Sequence, residues 1–402
     1  MPRIPRVAIL VESTRSYARD LLTGIRRYIA ENAPWSTFLE LRAEDSPPPK
    51  WLRNWDGDGI LCRSFTRQTS RMVSASGLPA VELRSTHLRG VRPFVGMDNA
   101  RIGTLVAEHF FERGYPHFAV YSVQNERYFI ERVQKFVSTL RSRSMSCSTL
   151  HEPHSSAHAD WESHLRTLTD WLHTLPKPVG IFAVNDTLGA RILEACLRAD
   201  LSVPGEVGVV GVENDETLCA FASPPLSSVR LHGADAGFTA ARLLDHLMRG
   251  QPVPPDTEIL LPPGEVVCRR SSDALIHPDA LVSAAARLIR DHAPFGMNVE
   301  SLCQRLHTSR STLERRMKAA LQCTPKQEIQ RVRFREVERL LLETNLTIDS
   351  IAEQTGFPEG HHLQTAFKLI HGITPGAFRA KTRPVAPPIP HTPAQSPFPQ
   401  TP

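Results

Sequence analysis

The sequence predicts an α/β domain built on two parallel sheets, followed by an all-α domain. Short apolar runs alternate with amphipathic helical patterns from Val7 to about Leu261, whereas the pattern from about residue 281 onward is helical. Alternating strands and helices are typical of βαβ units, which build parallel sheets. Because the alternating segment has roughly 250 residues, we expect two such sheets with a cleft between them.

The first strand is predicted at Val7–Val11, an apolar run that ends before Glu12. A helix is predicted at Ala18–Ile29, because its apolar residues recur with the spacing of one helix face. Those residues are Leu21, Leu22, Ile25 and Ile29. Further strands are predicted at Gly59–Leu61, Ala80–Leu83, Phe118–Tyr121, Val179–Val184 and Val207–Val212. Further helices are predicted at Ala100–Arg113, Glu131–Arg141, Leu188–Ala199 and Ala234–Met248. A proline-containing stretch at 260–278 interrupts the alternation, and we interpret it as the exit from this domain.

Composition and charge narrow the classes of protein. Of the 402 residues, 41% are hydrophobic, and no run approaches the roughly 18 apolar residues of a membrane-spanning helix. The seven cysteines are widely spaced without a C-x-x-C pair, which favours a reduced, cytoplasmic protein. Residues 281–383 carry 16 Lys and Arg against 10 Asp and Glu, whereas the rest of the chain carries 31 against 32. This basic segment favours a partner with a phosphate backbone.

The basic segment contains an internal repeat with a period near 50 residues, with copies at 298–318 and 347–368. In the first copy, Ser309 is well placed to cap a second helix. In the second copy, Gly356 stands at the turn, where glycine adopts positive φ readily. The predicted apolar faces are Val299, Leu302, Cys303, Leu306, Leu313 and Met317, then Ile348, Ile351, Ala352, Leu363 and Phe367. Each copy therefore predicts a helix-turn-helix unit.

A longer helix is predicted between the copies. It starts at Thr324-Pro325-Lys326-Gln327, which matches a capping box with proline at the first helical position. Its apolar residues, expected to contact both units, are Ile329, Val332, Val337, Leu340 and Leu341. Two second helices held about 34 Å apart, one turn of DNA, would enter successive major grooves.

The solvent faces of these second helices carry polar side chains that suit base edges. The first face has Arg310, Ser311, Glu314, Arg315 and Lys318, and the second has His361, His362, Gln364 and Thr365. Arginine can bind guanine through two hydrogen bonds, and short polar or carboxylate side chains can read adenine or cytosine. Residues 288–379, and above all IAEQTGFPEGHHLQTAFKLIHGITPGAFR, resemble the DNA-binding domain of the AraC family of transcription regulators. The resemblance implies base contacts from Ser311, Glu314, Arg315, His361, His362 and Thr365.

The N-terminal region resembles the sugar-sensing domain of the LacI family, which has the two-lobed fold of periplasmic sugar-binding proteins. The matching segments are 95–115, 181–215 and 224–231. This resemblance implies ligand contacts from Arg132, Asn185, Asp186 and Glu213. The order of sensor first and AraC-type domain last resembles the regulators of xylose operons.

Other ligand candidates follow from position in the predicted sheets. Ser13, Tyr17 and Arg19 come after the first strand and Arg63 after the strand at Gly59–Leu61, and ligands of open α/β sheets bind beyond such carboxyl ends. Tyr128, four residues before Arg132, is a candidate aromatic wall for the C–H face of a sugar. Arg63 also leaves room for an acidic or differently substituted sugar.

No motif in the sequence favours an enzyme. The glycine-spaced stretch Gly205–Gly211 runs into a strand rather than opening a helix, so it fails the dinucleotide-binding fingerprint. We expect no catalytic residues, no metal site and no cofactor. The alternative to a sugar sensor is an AraC-type regulator whose first domain binds no sugar and mediates only dimerisation or protein contacts.

The expected organisation is a periplasmic-binding-protein-like sensor at 1–270 and a linker at 271–280. A double helix-turn-helix DNA-binding domain at 281–383 and a proline-rich tail at 384–402 complete it; the tail has eight prolines and no charged residue, a composition typical of disorder. The expected partners are double-stranded operator DNA, a small sugar such as xylose, and a second copy of the chain in a homodimer. RNA polymerase is left open as a further partner.

Overall fold

The structure, a computed structural model, describes residues 3–12, 14–32, 34–40, 47–64, 66–84, 91–123, 126–152, 161–277 and 279–382. The chain divides into two units between Ile276 and His277. The predicted tail at 384–402 lies outside the described residues, as does Ser13.

The first unit is built on two six-stranded sheets, which confirms the predicted fold class. In chain order its strands are β1 (Arg6–Leu10), β2 (Ser36–Leu39), β3 (Gly59–Cys62), β4 (Ala80–Glu82), β5 (Phe94–Met97), β6 (His117–Ser122), β7 (Ser148–His151), β8 (Val179–Ala183), β9 (Val207–Glu213), β10 (Ser227–Arg230), β11 (Glu258–Leu261) and β12 (Val266–Val267). The sheet orders are β11-β5-β4-β3-β1-β2 and β12-β10-β9-β8-β6-β7. Neighbouring strands are parallel, except that β12 runs antiparallel to β10.

Helices cover the sheets. They are α1 (Ser16–Glu31), α2 (Arg67–Ala75), α3 (Asn99–Glu112), α4 (Arg127–Arg141), α5 (Trp161–Thr174), α6 (Asp186–Arg198), α7 (Glu216–Phe221) and α8 (Gly233–Met248). The first lobe consists of the β1 sheet with α1, α2 and α8, and the second lobe consists of the β6 sheet with α3 to α7. The chain therefore passes between the lobes three times, after β5, after β10 and after β11.

Strands predicted from sequence, such as β3 and β8, are buried on both faces, and such strands have uninterrupted apolar sequences. The short strand β5 is equally buried but was not predicted. The edge strands β2 and β7 are largely exposed, and β10 contains two serines. These three strands therefore lack the apolar run by which strands such as β3 and β8 were predicted. The stretch at 260–278, interpreted as an exit, instead contains part of β11 and all of β12. Ser271 and Ser272 are fully buried, and the Ser271 hydroxyl donates to the Val209 carbonyl at 2.7 Å. The first unit therefore extends to Ile276, beyond the expected boundary.

The second unit is all-helical, with α9 (Ala280–His292), α10 (Val299–Arg305), α11 (Arg310–Leu321), α12 (Pro325–Glu343), α13 (Ile348–Gln354), α14 (Gly360–His371) and α15 (Pro375–Thr382). The pairs α10–α11 and α13–α14 are the two predicted helix-turn-helix units. Each unit has its own apolar core, and α12 contributes Ile329 to one core and Val337 to the other. The predicted caps are confirmed: Ser309 caps α11, and Thr324 and Gln327 form a capping box on α12. Across the described residues, every helix is too short or too polar to cross a membrane.

Candidate functional site

A cavity lies between the two lobes. It is lined by Tyr17, Arg63, Leu83, Arg84, Phe94, Gly96, Met97, Asn99, Tyr128, Arg132, Glu213 and Leu231. Most of these residues stand at or just after the carboxyl end of a strand, where ligands of open α/β sheets bind. Five of the nine predicted ligand contacts line the cavity, namely Tyr17, Arg63, Tyr128, Arg132 and Glu213.

Arg132 projects from α4 and is 3% exposed. Its Nε donates to Asn99 Oδ1 at 2.9 Å and its Nη1 donates to the Val184 carbonyl at 2.6 Å. The guanidinium also lies 5.3 Å from the centroid of the Tyr128 ring, within cation–π range. Burial lowers the pKa of Arg132 from its ordinary value, because the cation has left water. Arg132 and Tyr128 lie one turn apart on α4, so their side chains share a face of this helix.

Glu213 ends β9 with a strained backbone. Its φ is +112°, and that of the following Asn214 is +53°; both are conformations that residues other than glycine adopt at a cost. The Glu213 carboxylate accepts from Arg15 of the first lobe at 3.3 Å. The strained turn therefore presents a carboxylate from the second lobe to the cavity.

Asp186 holds this turn in place. One carboxylate oxygen accepts from the Asp215 backbone N–H at 2.8 Å, and the other accepts from the Ser228 hydroxyl at 2.5 Å. Ser228 in turn accepts from the Asn214 N–H at 3.0 Å. Burial raises the pKa of Asp186 to about 7, although the hydrogen bonds from Ser228 and Asp215 act against this shift. Asp186 therefore contacts the loop that carries Glu213, and it does not line the cavity.

The remaining predicted contacts occupy other places. Asn185 caps α6 by accepting from the Leu188 N–H at 2.8 Å. Arg19 of the first lobe pairs with Asp215 of the second at 3.6 Å, outside the cavity lining. Ser13 lies outside the described residues.

Sequence reasoning missed several charged residues around the cavity. Arg84 follows β4 as Arg63 follows β3, so the same positional rule would have found it. Arg84 Nε donates to Glu126 of the second lobe at 3.2 Å, and Arg63 forms a buried ion pair with Glu12. These pairings depend on tertiary contacts, which a single sequence does not reveal.

The second helices of the two helix-turn-helix units, α11 and α14, are called the reading helices here. The first of them, α11, exposes most of its predicted base-contacting residues. Ser311 and Arg315 are exposed. Arg310 donates to Glu314 at 2.8 Å, so this pair restrains its own side chains at the helix surface. The neighbouring Arg316 instead donates to Asp279, the N-cap of α9, at 2.6 Å.

The second reading helix, α14, exposes His361, His362 and Thr365. His361 Nδ1 lies 2.9 Å from Glu359 Oε2, and the Thr365 hydroxyl donates to the His361 carbonyl at 3.0 Å. An added Cβ at Gly360, the first residue of α14, would lie 2.0 Å from Asp349 Oδ1. A side chain there would therefore require the Asp349 carboxylate to move.

Comparison with known proteins supports both the two-lobed α/β fold and the helix-turn-helix fold. A family model described as a periplasmic binding protein-like domain matches residues 107–272, and one described as a helix-turn-helix domain matches residues 302–381. The xylose operon regulatory protein of Haemophilus influenzae is 30% identical over 382 residues, which cover 93% of this chain and 98% of that relative. The chain belongs to the family of xylose operon regulatory proteins.

Other members of this family give the same result. The xylose operon regulatory protein of Escherichia coli K12 is 28% identical over 384 residues, covering 93% of this chain and 96% of that relative. A solved structure of a xylose-binding transcription activator, xylR, matches with a TM-score of 0.74 and 27% identity, covering 94% of this chain and 99% of that one. The protein is thus a DNA-binding transcription regulator with a periplasmic-binding-protein-like sensor domain, as the two sequence resemblances implied.

Proposed function

We propose that the cavity binds a small sugar and that its occupancy controls operator binding by the helix-turn-helix domain. The observation that carries this proposal is the convergence of Tyr17, Tyr128, Arg132 and Glu213 on one cavity between two lobes. Sugar hydroxyls both donate and accept hydrogen bonds, so they suit a site with a guanidinium, a carboxylate and aromatic faces. The names of the family members, which refer to xylose, make this pentose the first ligand to test.

A bound sugar would shift the equilibrium between the open and closed arrangements of the two lobes. Among the described residues, three ion pairs join the lobes, and in each the arginine belongs to the first lobe and the carboxylate to the second. The pairs are Arg15–Glu213, Arg19–Asp215 and Arg84–Glu126. A ligand that contacts both lobes favours their closed arrangement, and the shift equals its difference in affinity for the two arrangements. Coupling of this kind amounts to about 1–3 kcal/mol.

The test is calorimetric titration of the full chain with a panel of pentoses and hexoses, combined with operator binding with and without each sugar. We expect heat from at least one sugar and a change in operator affinity with the same sugar. Arg132→Ala should abolish both responses, whereas Arg127→Ala, on an exposed part of the same helix, should leave them unchanged. DNA binding without heat from any sugar or sugar acid would instead favour a domain that mediates only dimerisation or protein contacts.

We propose that DNA is read by Ser311, Glu314 and Arg315 of α11 and by His361, His362 and Thr365 of α14, with Arg310 supporting Glu314.

The regulator is proposed to act as a homodimer through its first unit, where Phe221 is 86% exposed on α7. Light scattering of the full chain at micromolar concentration measures the oligomeric state, and Phe221→Asp tests this face. Retention of RNA polymerase on operator DNA by the bound regulator would identify that further partner.

A further inference from the structure

The wall of the cavity is dominated by positive charge. Three of its lining residues are arginines (Arg63, Arg84 and Arg132), and one is a carboxylate, Glu213. All three arginines are less than a tenth exposed, so water does little to screen their charges. The balance of charge in this wall therefore depends on which carboxylates are already paired.

In the described part of the chain, three ion pairs engage Glu213 and the two carboxylates that contact the lining arginines from behind the wall. Glu12 pairs with Arg63, Glu126 with Arg84, and Glu213 with Arg15. Arg132 is different, because the acceptors of its hydrogen bonds are the neutral Asn99 amide and the neutral Val184 carbonyl. Within the described residues, no carboxylate reaches ion-pair distance of Arg132, and one positive charge remains without a counter-ion.

The geometry of Arg132 leaves donors for a ligand. Its Nε and one N–H of Nη1 are engaged, while Nη2 has no partner among the described residues. One N–H of Nη1 and both N–H groups of Nη2 therefore remain, and a carboxylate can accept from one on each nitrogen in a bidentate manner. A buried cation whose hydrogen bonds all go to neutral groups is costly. Burial lowers the pKa of Arg132, and the nearby Glu213 carboxylate opposes this shift although its ion pair is with Arg15.

We propose that the ligand of this cavity is a sugar acid, an aldonate or uronate whose single carboxylate binds Arg132. A neutral sugar can satisfy the free N–H groups of Arg132 but leaves its charge uncompensated, whereas a carboxylate supplies both acceptors and charge. One surplus positive charge matches one carboxylate, whereas a sugar phosphate, with a charge near −2, would leave a surplus negative charge. The hydroxyls of the acid would bind Glu213 and the tyrosine hydroxyl of Tyr17. This inference rests on the proposed sugar-binding function and specifies its ligand class.

Matched ligands test the role of charge without altering the protein. The full chain is titrated calorimetrically with D-glucose, D-glucuronate and the neutral isostere D-glucuronamide. Two further pairs are D-xylose with D-xylonate and D-galactose with D-galacturonate, and D-glucose 6-phosphate tests the phosphate. We expect at least one acid to bind about tenfold or more tightly than its neutral partner. If that acid is glucuronate, the amide should bind as weakly as glucose.

Two variants connect the preference to the residue. Arg132→Gln should remove the preference for the acid, and Arg132→Lys should retain part of it, because lysine keeps the charge and loses the bidentate geometry. Arg127→Gln, on the same helix, is the matched control and should bind like the parent. Equal or tighter binding of the neutral partners, or binding of the phosphate alone, overturns the sugar-acid assignment and leaves sugar sensing in place. No heat from any member overturns both.

Discussion

The two helix-turn-helix units follow one backbone plan with different residues at its critical points. Both have a left-handed residue in the turn, His307 (φ +48°) in the first unit and Gly356 (φ +72°) in the second. Both also end the reading helix with a left-handed residue, Gln322 (φ +55°) after α11 and Gly372 (φ +74°) after α14. The second unit therefore has glycine at both positions, and the first has glycine at neither.

The packing around these positions explains part of the difference. A Cβ on Gly356 would lie 2.7 Å from the Gly296 nitrogen, so the second turn is enclosed by backbone. His307 is exposed, and its turn has room for a side chain. The first unit can therefore accept strain of about 1 kcal/mol at its turn, whereas at the second turn a side chain would also collide with backbone.

The largest expected effect comes from exchanging the residues at the two turns. Gly356→Ala should lower the free energy of unfolding of the second unit by about 3 kcal/mol, because left-handed strain adds to a collision with backbone. His307→Gly should instead raise stability by about 0.5 kcal/mol, since relief of strain exceeds the added flexibility. The measurement is denaturant unfolding followed by circular dichroism at 222 nm.

Tryptophan fluorescence provides an internal control for this experiment. All five tryptophans lie between Trp35 and Trp171, in the α/β unit that ends at Ile276. The fluorescence transition should therefore stay unchanged in both variants. Equal destabilisation by the two substitutions would show that the enclosure of Gly356 has no energetic consequence.

The second largest effect concerns two arginines that bind backbone carbonyls just before each helix-turn-helix unit. Arg333 of α12 donates to the carbonyls of Ala293 and Met297, just before α10, at 2.9 and 2.8 Å. Arg379 of α15 donates to the carbonyls of Leu341 and Leu346, before α13, at 3.2 and 2.8 Å.

Arg333→Met should cost about 2 kcal/mol of stability, because charged donors are lost and carbonyls are left without partners. Arg379→Met should cost somewhat less, since one of its bonds is longer. Arg305→Met, at an exposed position of α10, is the control. A loss of operator affinity at unchanged stability in Arg333→Met would show that this arginine serves DNA rather than the fold.

These arginines show where sequence reasoning reached its limit. The surplus of basic residues in 281–383 correctly indicated a DNA-binding domain, yet Arg333, Arg379 and Arg316 are engaged within the fold. Their contacts join segments more than 30 residues apart, and no local pattern separates such an arginine from one that faces solvent. The helices themselves were predictable, because apolar spacing and caps such as Thr324 with Gln327 are local signals.

The cleft shows the same division. Position after a strand end predicted Arg63 and Tyr17 at the cavity, since the carboxyl ends of parallel strands meet at one edge. Asp186 was implied by the family resemblance rather than by position. Its carboxylate accepts from Asp215 and Ser228, contacts that support the strained turn at Glu213 and Asn214, which no sequence pattern predicted. Pairing of Arg84 with Glu126 likewise depends on how the lobes meet.

The two reading helices should differ in how they bind DNA. Arg315→Ala should weaken operator binding by about 2 kcal/mol if Arg315 binds a guanine through two hydrogen bonds. His362→Ala should cost about 1 kcal/mol, because it removes a single contact. Fluorescence anisotropy with operator and random duplexes at several salt concentrations measures both effects.

The salt dependence separates base reading from phosphate contact. A base contact predicts loss on the operator with little loss on random DNA. Equal loss on both duplexes, with the salt slope reduced by about one, would show that Arg315 contacts only phosphate.

The smallest expected effect is at the ends of the reading helices, where enclosure plays no part. A Cβ on Gly372 would meet nothing within 4 Å, so Gly372→Ala should cost only about 1 kcal/mol, from the left-handed conformation alone. Gln322→Gly should gain about 0.5 kcal/mol by the reverse argument. Circular dichroism of the full chain, with the two turn variants measured alongside, separates conformational strain from collision, because Gly356→Ala includes both and Gly372→Ala only the first. If Gly372→Ala proved as costly as Gly356→Ala, left-handed strain would account for both positions, and the contrast between the two turns would not derive from packing against Gly296.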